Sequence, residues 1–203
     1  MNKNLLSFIV CFIVLSLSAN AQKTLIGLKG GLDFTKINGE SFSNSYTGSF
    51  NVGAYLESKI NDKWGWQTEL VYNQGNEKIN SEGLNTVYSG GISNLSVSTS
   101  ATIGSVSLPV LATYKLNNYF SLHAGPQVSV NAYTNENIFQ SGKVAFKETD
   151  FAVCVGGKLD LNGVKFCLRY NHGLTNINNY DGRDKWLNRQ INFGMEIPVF
   201  KLK

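Results

Sequence analysis

Segment after segment of this chain sets a face without ions against a face that carries them, and this period of two limits the fold more than any other feature. Taking every second residue from Val52 to Ile60, Val106 to Tyr114, Val153 to Leu161 and Ile191 to Val199 meets no charged side chain. The intervening positions hold Glu57 and Lys59, Lys115, Lys158 and Asp160, and Glu196. Such alternation marks strands with two unlike faces. Which face turns inward decides whether the sheet lives in water or in lipid.

Eight strands are expected, running roughly from Leu25 to Phe34, Ser49 to Ile60, Trp64 to Gln74, Ile103 to Lys115, Tyr119 to Asn131, Asp150 to Leu161, Val164 to His172 and Arg189 to Phe200. Most have the roughly 9 to 11 residues that a tilted strand needs to cross a bilayer. Their connections fall into two sets. Asn61-Asp62-Lys63, Leu116-Asn117-Asn118 and Asn162-Gly163 are tight and rich in turn residues. Thr35 to Gly48, Gly75 to Thr102, Ala132 to Thr149 and Gly173 to Asn188 are long and polar. Short and long alternate strictly, which predicts an all-β, eight-stranded antiparallel up-and-down transmembrane β-barrel with both termini at the short-turn end.

The shared parity assembles an ion-bearing inward face: Lys29 and Asp33, Glu57 and Lys59, Gln67 and Glu69, Ser107 and Lys115, His123 and Gln127, Lys158 and Asp160, Lys165 and Arg169, Asn192 and Glu196. An eight-stranded interior is just wide enough for side chains to fill, so these charges lose water and are tolerable only when paired. A plugged lumen with a structural network of Lys29, Glu57, Glu69, Lys158, Asp160, Lys165, Arg169 and Glu196 is expected. Asp160 should stand across from Lys165, and closure of the first strand on the last should bring Lys29 near Glu196. The outward face would hold Leu28, Leu32, Val52, Leu56, Leu70, Val106, Leu108, Val110, Leu122, Val128, Val153, Val155, Leu159, Phe166, Leu168, Phe193 and Ile197. Trp64, Trp66, Tyr72, Tyr114, Phe120, Tyr170 and Phe200 lie near strand ends, where aromatic girdles belong. The opposite arrangement is a secreted soluble lipocalin-like barrel, with Leu, Val and Phe lining a ligand cavity and the ions in water.

The first 21 residues differ in kind. Lys3 gives a positive start, Leu5 to Ser18 an apolar run, and Ala19-Asn20-Ala21 an A-x-A cleavage site before Gln22. Residues 1–21 therefore read as an export signal and residues 22–203 as one barrel domain. Without the signal, 17 basic side chains stand against 14 acidic ones, a net charge of +3 with no basic block to support nucleic-acid binding. Cys11 leaves with the signal and, preceded by Val10, makes a poor lipid-attachment site. Should Asn162-Gly163 form a two-residue turn, Cys154 lies about 13 Å along the strand from the register position of Cys167, so two free inward thiols are expected.

Three stretches together resemble the PorT-like outer-membrane β-barrel domain of Bacteroidota. They are Gly27-Leu28-Lys29-Gly30-Gly31-Leu32-Asp33-Phe34, then Ser107-Leu108-Pro109-Val110-Leu111-Ala112-Thr113-Tyr114-Lys115 running on to His123-Ala124-Gly125-Pro126, and Leu168-Arg169-Tyr170-Asn171-His172-Gly173-Leu174-Thr175-Asn176-Ile177. The resemblance spans essentially the whole mature chain and implies an eight-stranded barrel in the outer membrane, without catalytic residues to carry over. Two departures stand out. Ser107 occupies a position where such sequences commonly carry glutamate, and the chain ends Lys201-Leu202-Lys203 rather than on an aromatic, which leaves the signal for the barrel-assembly machinery to Phe193, Met195, Ile197, Val199 and Phe200.

Chemistry has little to build on. His172 lies beside a connection containing Asp181 and Asp184, but its parity points outward, as a boundary histidine at headgroup level. His123 belongs to the filled interior, and two isolated histidines without a Cys/His cluster fall short of metal-ligand spacing. Gly27, Gly30 and Gly31 precede no helix and make no phosphate loop. Asp181-Gly182-Arg183-Asp184 could be a calcium or adhesive loop, although four polar residues in a long connection are ordinarily a solvated loop. The expectation is an outer-membrane protein with no enzymatic activity or cofactor, acting structurally or by interaction through its surface loops, with outer-membrane lipid and a protein partner at those loops. An accessory role in protein secretion rests on the resemblance alone.

Overall fold

The computed structural model describes residues 24–40, 42–78, 100–134, 147–179 and 184–202. The signal segment, Cys11, and most of the connections after Gly75 and Ala132 lie outside the described residues, as do Asp181, Gly182 and Arg183. Eight strands follow in order: β1 (Thr24–Asn38), β2 (Thr47–Lys59), β3 (Trp64–Lys78), β4 (Ser100–Lys115), β5 (Phe120–Thr134), β6 (Thr149–Leu161), β7 (Val164–Gly173) and β8 (Leu187–Leu202). Each pairs with its sequence neighbours and β8 pairs antiparallel with β1, so the sheet closes and no strand edge is left open.

The short connections owe their geometry to a few side chains. Asn162 and Gly163 take φ of 55° and 94°, the left-handed pair that a two-residue hairpin needs. Asn61 Oδ1 accepts from the backbone N–H groups of Lys63 and Trp64 at 2.9 and 2.8 Å, and Asn117 Oδ1 does the same for Tyr119 and Phe120. At the other end the strands outrun their bland faces. β1 reaches Asn38 rather than Phe34 and β3 reaches Lys78 rather than Gln74, because pairs such as Asn38↔Leu187 and Lys78↔Ser100 continue the ladder through polar residues that carry no turn signal.

Exposure is inverted relative to a soluble protein. Leu28, Leu32, Leu70 and Leu168 are 57% exposed or more, whereas Asp33, Gln67 and Glu196 are fully buried. This overturns the lipocalin-like arrangement, which needs the apolar face inside. The outward belt is bounded by aromatics: Trp64, Trp66, Tyr114, Phe120 and Phe200 towards the short turns, and Phe34, Phe50, Tyr72, Phe151 and Tyr170 towards the long connections. Phe34, Phe50 and Phe151 extend the expected set. Between these rings the outward positions carry no charge.

Inside, Tyr55, Leu111, Cys154 and Cys167 accompany the polar residues. Both cysteines are free, and the register Lys158↔Cys167 and Cys154↔Asn171 separates them along the wall. The β1–β8 and β4–β5 ladders each shift register once, between Ile26 and Gly27 and between Gly104 and Ser105, and the β4–β5 ladder also passes from Pro109↔Gln127 to Ala112↔Ala124 across an unpaired gap. Gly125 lies in that gap, and a Cβ on it would meet the Val110 carbonyl at 2.0 Å, so only glycine lets the two strands approach.

Candidate functional site

Strand alternation delivers the long polar side chains of six strands to one level of the lumen. Lys29 Nζ donates to Glu69 Oε2 at 2.6 Å, and Arg169 grips the same carboxylate from the far wall with Nη1 at 3.0 Å and Nη2 at 2.5 Å. Gln67 Nε2 donates to Glu69 Oε1 at 2.8 Å and to Glu196 Oε1 at 3.0 Å, tying the two carboxylates together. Lys158 Nζ donates to Glu196 Oε2 at 2.8 Å and to Gln67 Oε1. Arg169 Nε donates to His123 Nε2 at 3.0 Å, which places the imidazole proton on Nδ1. Every member is almost wholly shielded from solvent. Nearer the short turns, Lys165 pairs with Glu57 where both side chains keep slight exposure.

The sequence-predicted residues thus share one lumen, but their partners differ from the expected ones. Lys29 and Glu196 are register partners on β1 and β8, yet Lys29 binds Glu69 of β3 and Glu196 binds Lys158 of β6. Asp160 and Lys165 are likewise opposed, yet Lys165 reaches across to Glu57 of β2 while Asp160 Oδ1 accepts the turn N–H of Gly163 at 2.9 Å. In so narrow a lumen a long side chain finds a carboxylate on another strand as easily as on its neighbour, and opposed lysine and carboxylate stems need not meet.

Above this level the lumen turns to amides and hydroxyls. Asp33 Oδ1 accepts from Asn51 Nδ2 at 2.9 Å and from Asn192 Nδ2, and Ser107, Ser129, Gln127 and Asn73 form a further chain. The space among Lys29, Glu69, Arg169, Asn171 and Asn192 amounts to about 10 Å³, at most one water molecule. Wider funnels open at each end, about 60 Å³ under the long connections and about 150 Å³ at the short turns. Side chains therefore close the passage at its centre.

The long-connection end carries a small core absent from the sequence reading. Ile37, Phe42, Ile177 and Trp186 are all buried, with Phe42 and Trp186 edge to face at 5.0 Å. Trp186 Nε1 donates to Asp184 Oδ2 at 3.0 Å, Asn178 Nδ2 to the Asp184 carbonyl at 2.8 Å, and Asn176 Oδ1 accepts from Trp186 N at 3.0 Å. Asp184 therefore ties Trp186 to Asn178 within the described part of the connection between β7 and β8. The one available signal was a tryptophan in an otherwise polar stretch. His172 faces outward with its ring 6.2 Å from that of Tyr170, and among the described residues no three His, Cys, Asp or Glu side chains converge as metal ligands.

A closed eight-stranded wall, apolar outside and ionic within, agrees with the comparison to known families, where the outer membrane protein beta-barrel domain matches residues 20–179. The chain belongs to that family. Membership locates the protein in the outer membrane, with the apolar belt against lipid. Among solved structures it is similar to Ail, the attachment invasion locus protein of Yersinia pestis, crystallised with the heparin analogue sucrose octasulfate, at 11% identity and a TM-score of 0.51 over 87% of this chain and 100% of that one. It is also similar to Neisserial surface protein A, at 13% identity and a TM-score of 0.51 over 87% of this chain and 97% of that one. At such identities the likeness is one of fold. No curated protein matches the chain.

Proposed function

We propose that this protein is a sealed outer-membrane anchor that presents its long connections at the cell surface for interaction with a protein partner. The observation that carries the reading is the contrast between the two parts of the molecule. The lumen is filled by the Glu69 and Glu196 network, which opposes transport, while β1–β2 and β7–β8 are joined by connections that share a core around Trp186. A rigid base under polar loops is suited to binding. The leader of residues 1–21 is removed on export, the domain of residues 22–203 is inserted by the barrel-assembly machinery, and the PorT-like subtype is the branch its motifs favour. No catalytic role is assigned: His123 is enclosed by Arg169, and His172 lies on the outer wall opposite Arg189.

The test pairs two measurements. In planar bilayers the folded protein should give no steady conductance; a stable open channel would replace the anchor with a pore. Deleting residues 81–97 should preserve heat-modifiable gel mobility and abolish the protein cross-links that the full chain forms on intact cells. Cross-links that survive this deletion, deletion of residues 136–145 and substitution of Trp186 by alanine would remove the loops from the interaction.

A further inference from the structure

The outward face changes character just past the aromatic ring at the long-connection end. Lys36, Arg189 and His172 continue the outward parity of β1, β8 and β7, each two residues beyond an apolar or aromatic position: Phe34, Ile191 and Tyr170. The register sets Lys36 opposite Arg189 and Arg189 opposite His172, so three nitrogenous side chains form one row across three neighbouring strands. With strands roughly 5 Å apart, the row spans about 10 Å.

None of the ion pairs among the described residues neutralises this row. Lys36 Nζ donates to the neutral Asn44 Oδ1 at 2.9 Å and lies 5.1 Å from the centre of the Tyr46 ring. Arg189 Nη1 is buried without a hydrogen-bond partner. Two cations directly opposed across a ladder repel each other, and an anion between them reverses the sign of the interaction. A guanidinium fork flanked by an amine and an imidazole suits a phosphate, whose several oxygens can be shared among donors on different strands. Directly below, on the same three strands, Leu32, Phe193 and Leu168 are more than half exposed on the lipid-facing wall. A headgroup held by the row would therefore lay its acyl chains along that surface.

We propose that Lys36, Arg189 and His172 form a site on the outer wall of the barrel for the phosphate-bearing headgroup of an outer-leaflet lipid. The inference rests on the membrane position of the wall and is independent of what the loops bind. Removing both strong cations should weaken retention of such a lipid about 25-fold, roughly fivefold for each.

The experiment uses the folded full-length mature chain in a mild detergent, with bound lipid counted by native mass spectrometry. The probes are a bisphosphorylated lipid A, the same lipid after enzymatic removal of its phosphates, and inorganic phosphate as competitor. The wild type should retain the phosphorylated lipid at least tenfold better than the dephosphorylated one. The variant Lys36→Gln/Arg189→Gln should lose that preference, while Lys147→Gln/Lys185→Gln, in exposed connections, should keep it. Heat-modifiable mobility reports folding of each variant, and Arg189→Gln alone provides a milder substitution. Equal retention of the two lipids by the wild type, or an undiminished preference in folded Lys36→Gln/Arg189→Gln or Arg189→Gln, overturns the site. Displacement by equimolar inorganic phosphate overturns the lipid and leaves a simple anion site.

Discussion

Glu69 is the residue on which the interior depends most, and replacing it with glutamine tests the network at nearly constant volume. Its carboxylate accepts four hydrogen bonds from Lys29, Gln67 and Arg169, and the two cations have side chains exposed by no more than 3%. Glu69→Gln leaves both charges without their counterion in a lumen that water scarcely enters. Removing one partner of a buried ion pair costs about 3 to 5 kcal/mol, because the remaining charge stays desolvated. Glu57→Gln is the internal control: its pair with Lys165 keeps side-chain exposures of 13% and 11% at the mouth, where water can take over, so a loss of about 1 kcal/mol is expected. Both are read from urea unfolding of the barrel in phospholipid vesicles, followed by tryptophan fluorescence and by gel mobility. Because Arg169 and Glu69 are in contact, Arg169→Met added to Glu69→Gln should cost less than the sum of the two single changes by about 1 to 3 kcal/mol. A Glu69→Gln loss no larger than that of Glu57→Gln, or strict additivity with Arg169→Met, would refute the claim that these charges are locked away from water and hold one another.

Leu168→Arg, in the middle of the outward belt, should destabilise the barrel in vesicles by about 2 to 4 kcal/mol; an unchanged unfolding curve would take that face out of lipid. Gly125→Ala should sharply reduce the yield of the fast-migrating folded form, since the new methyl meets a backbone carbonyl at 2.0 Å, and normal yield would show that the β4–β5 seam can open. Trp186→Ala should speed proteolysis of the long connections about tenfold while barrel unfolding stays unchanged, because its contacts are with Phe42 and the loop backbone; unaltered cleavage would remove the surface core as an ordering element. Cys154 and Cys167 should resist maleimide in the folded barrel and react in urea, and labelling of the folded state would contradict their inward placement.

What the sequence discloses here follows from period two. Once Val153 and Val155 are assigned to lipid, Lys158 and Arg169 must point inward, and Asn162-Gly163 sets the β6–β7 register residue by residue. Side-chain partners are another matter. The opposition of Lys29 and Glu196 is written in the ladder, but the ion pairs each one makes depend on the width of a closed cylinder and on which tip reaches across it, a property of no local segment. Trp186 was equally hidden: its burial depends on Phe42 and Ile177 arriving from connections far apart in the chain. The row of Lys36, Arg189 and His172 shows the same limit from outside, since parity gives each its direction and only the register makes them neighbours.

The bridge from Gln67 and Lys158 to Glu196 bears on how the protein is made. Glu196 lies on the last strand, so a nascent chain halted before β8 holds an ammonium group with no carboxylate to receive it and an open seam facing hydrocarbon. Sealing the β1–β8 seam and giving the Lys158 ammonium its carboxylate are therefore one event, carried by the same strand.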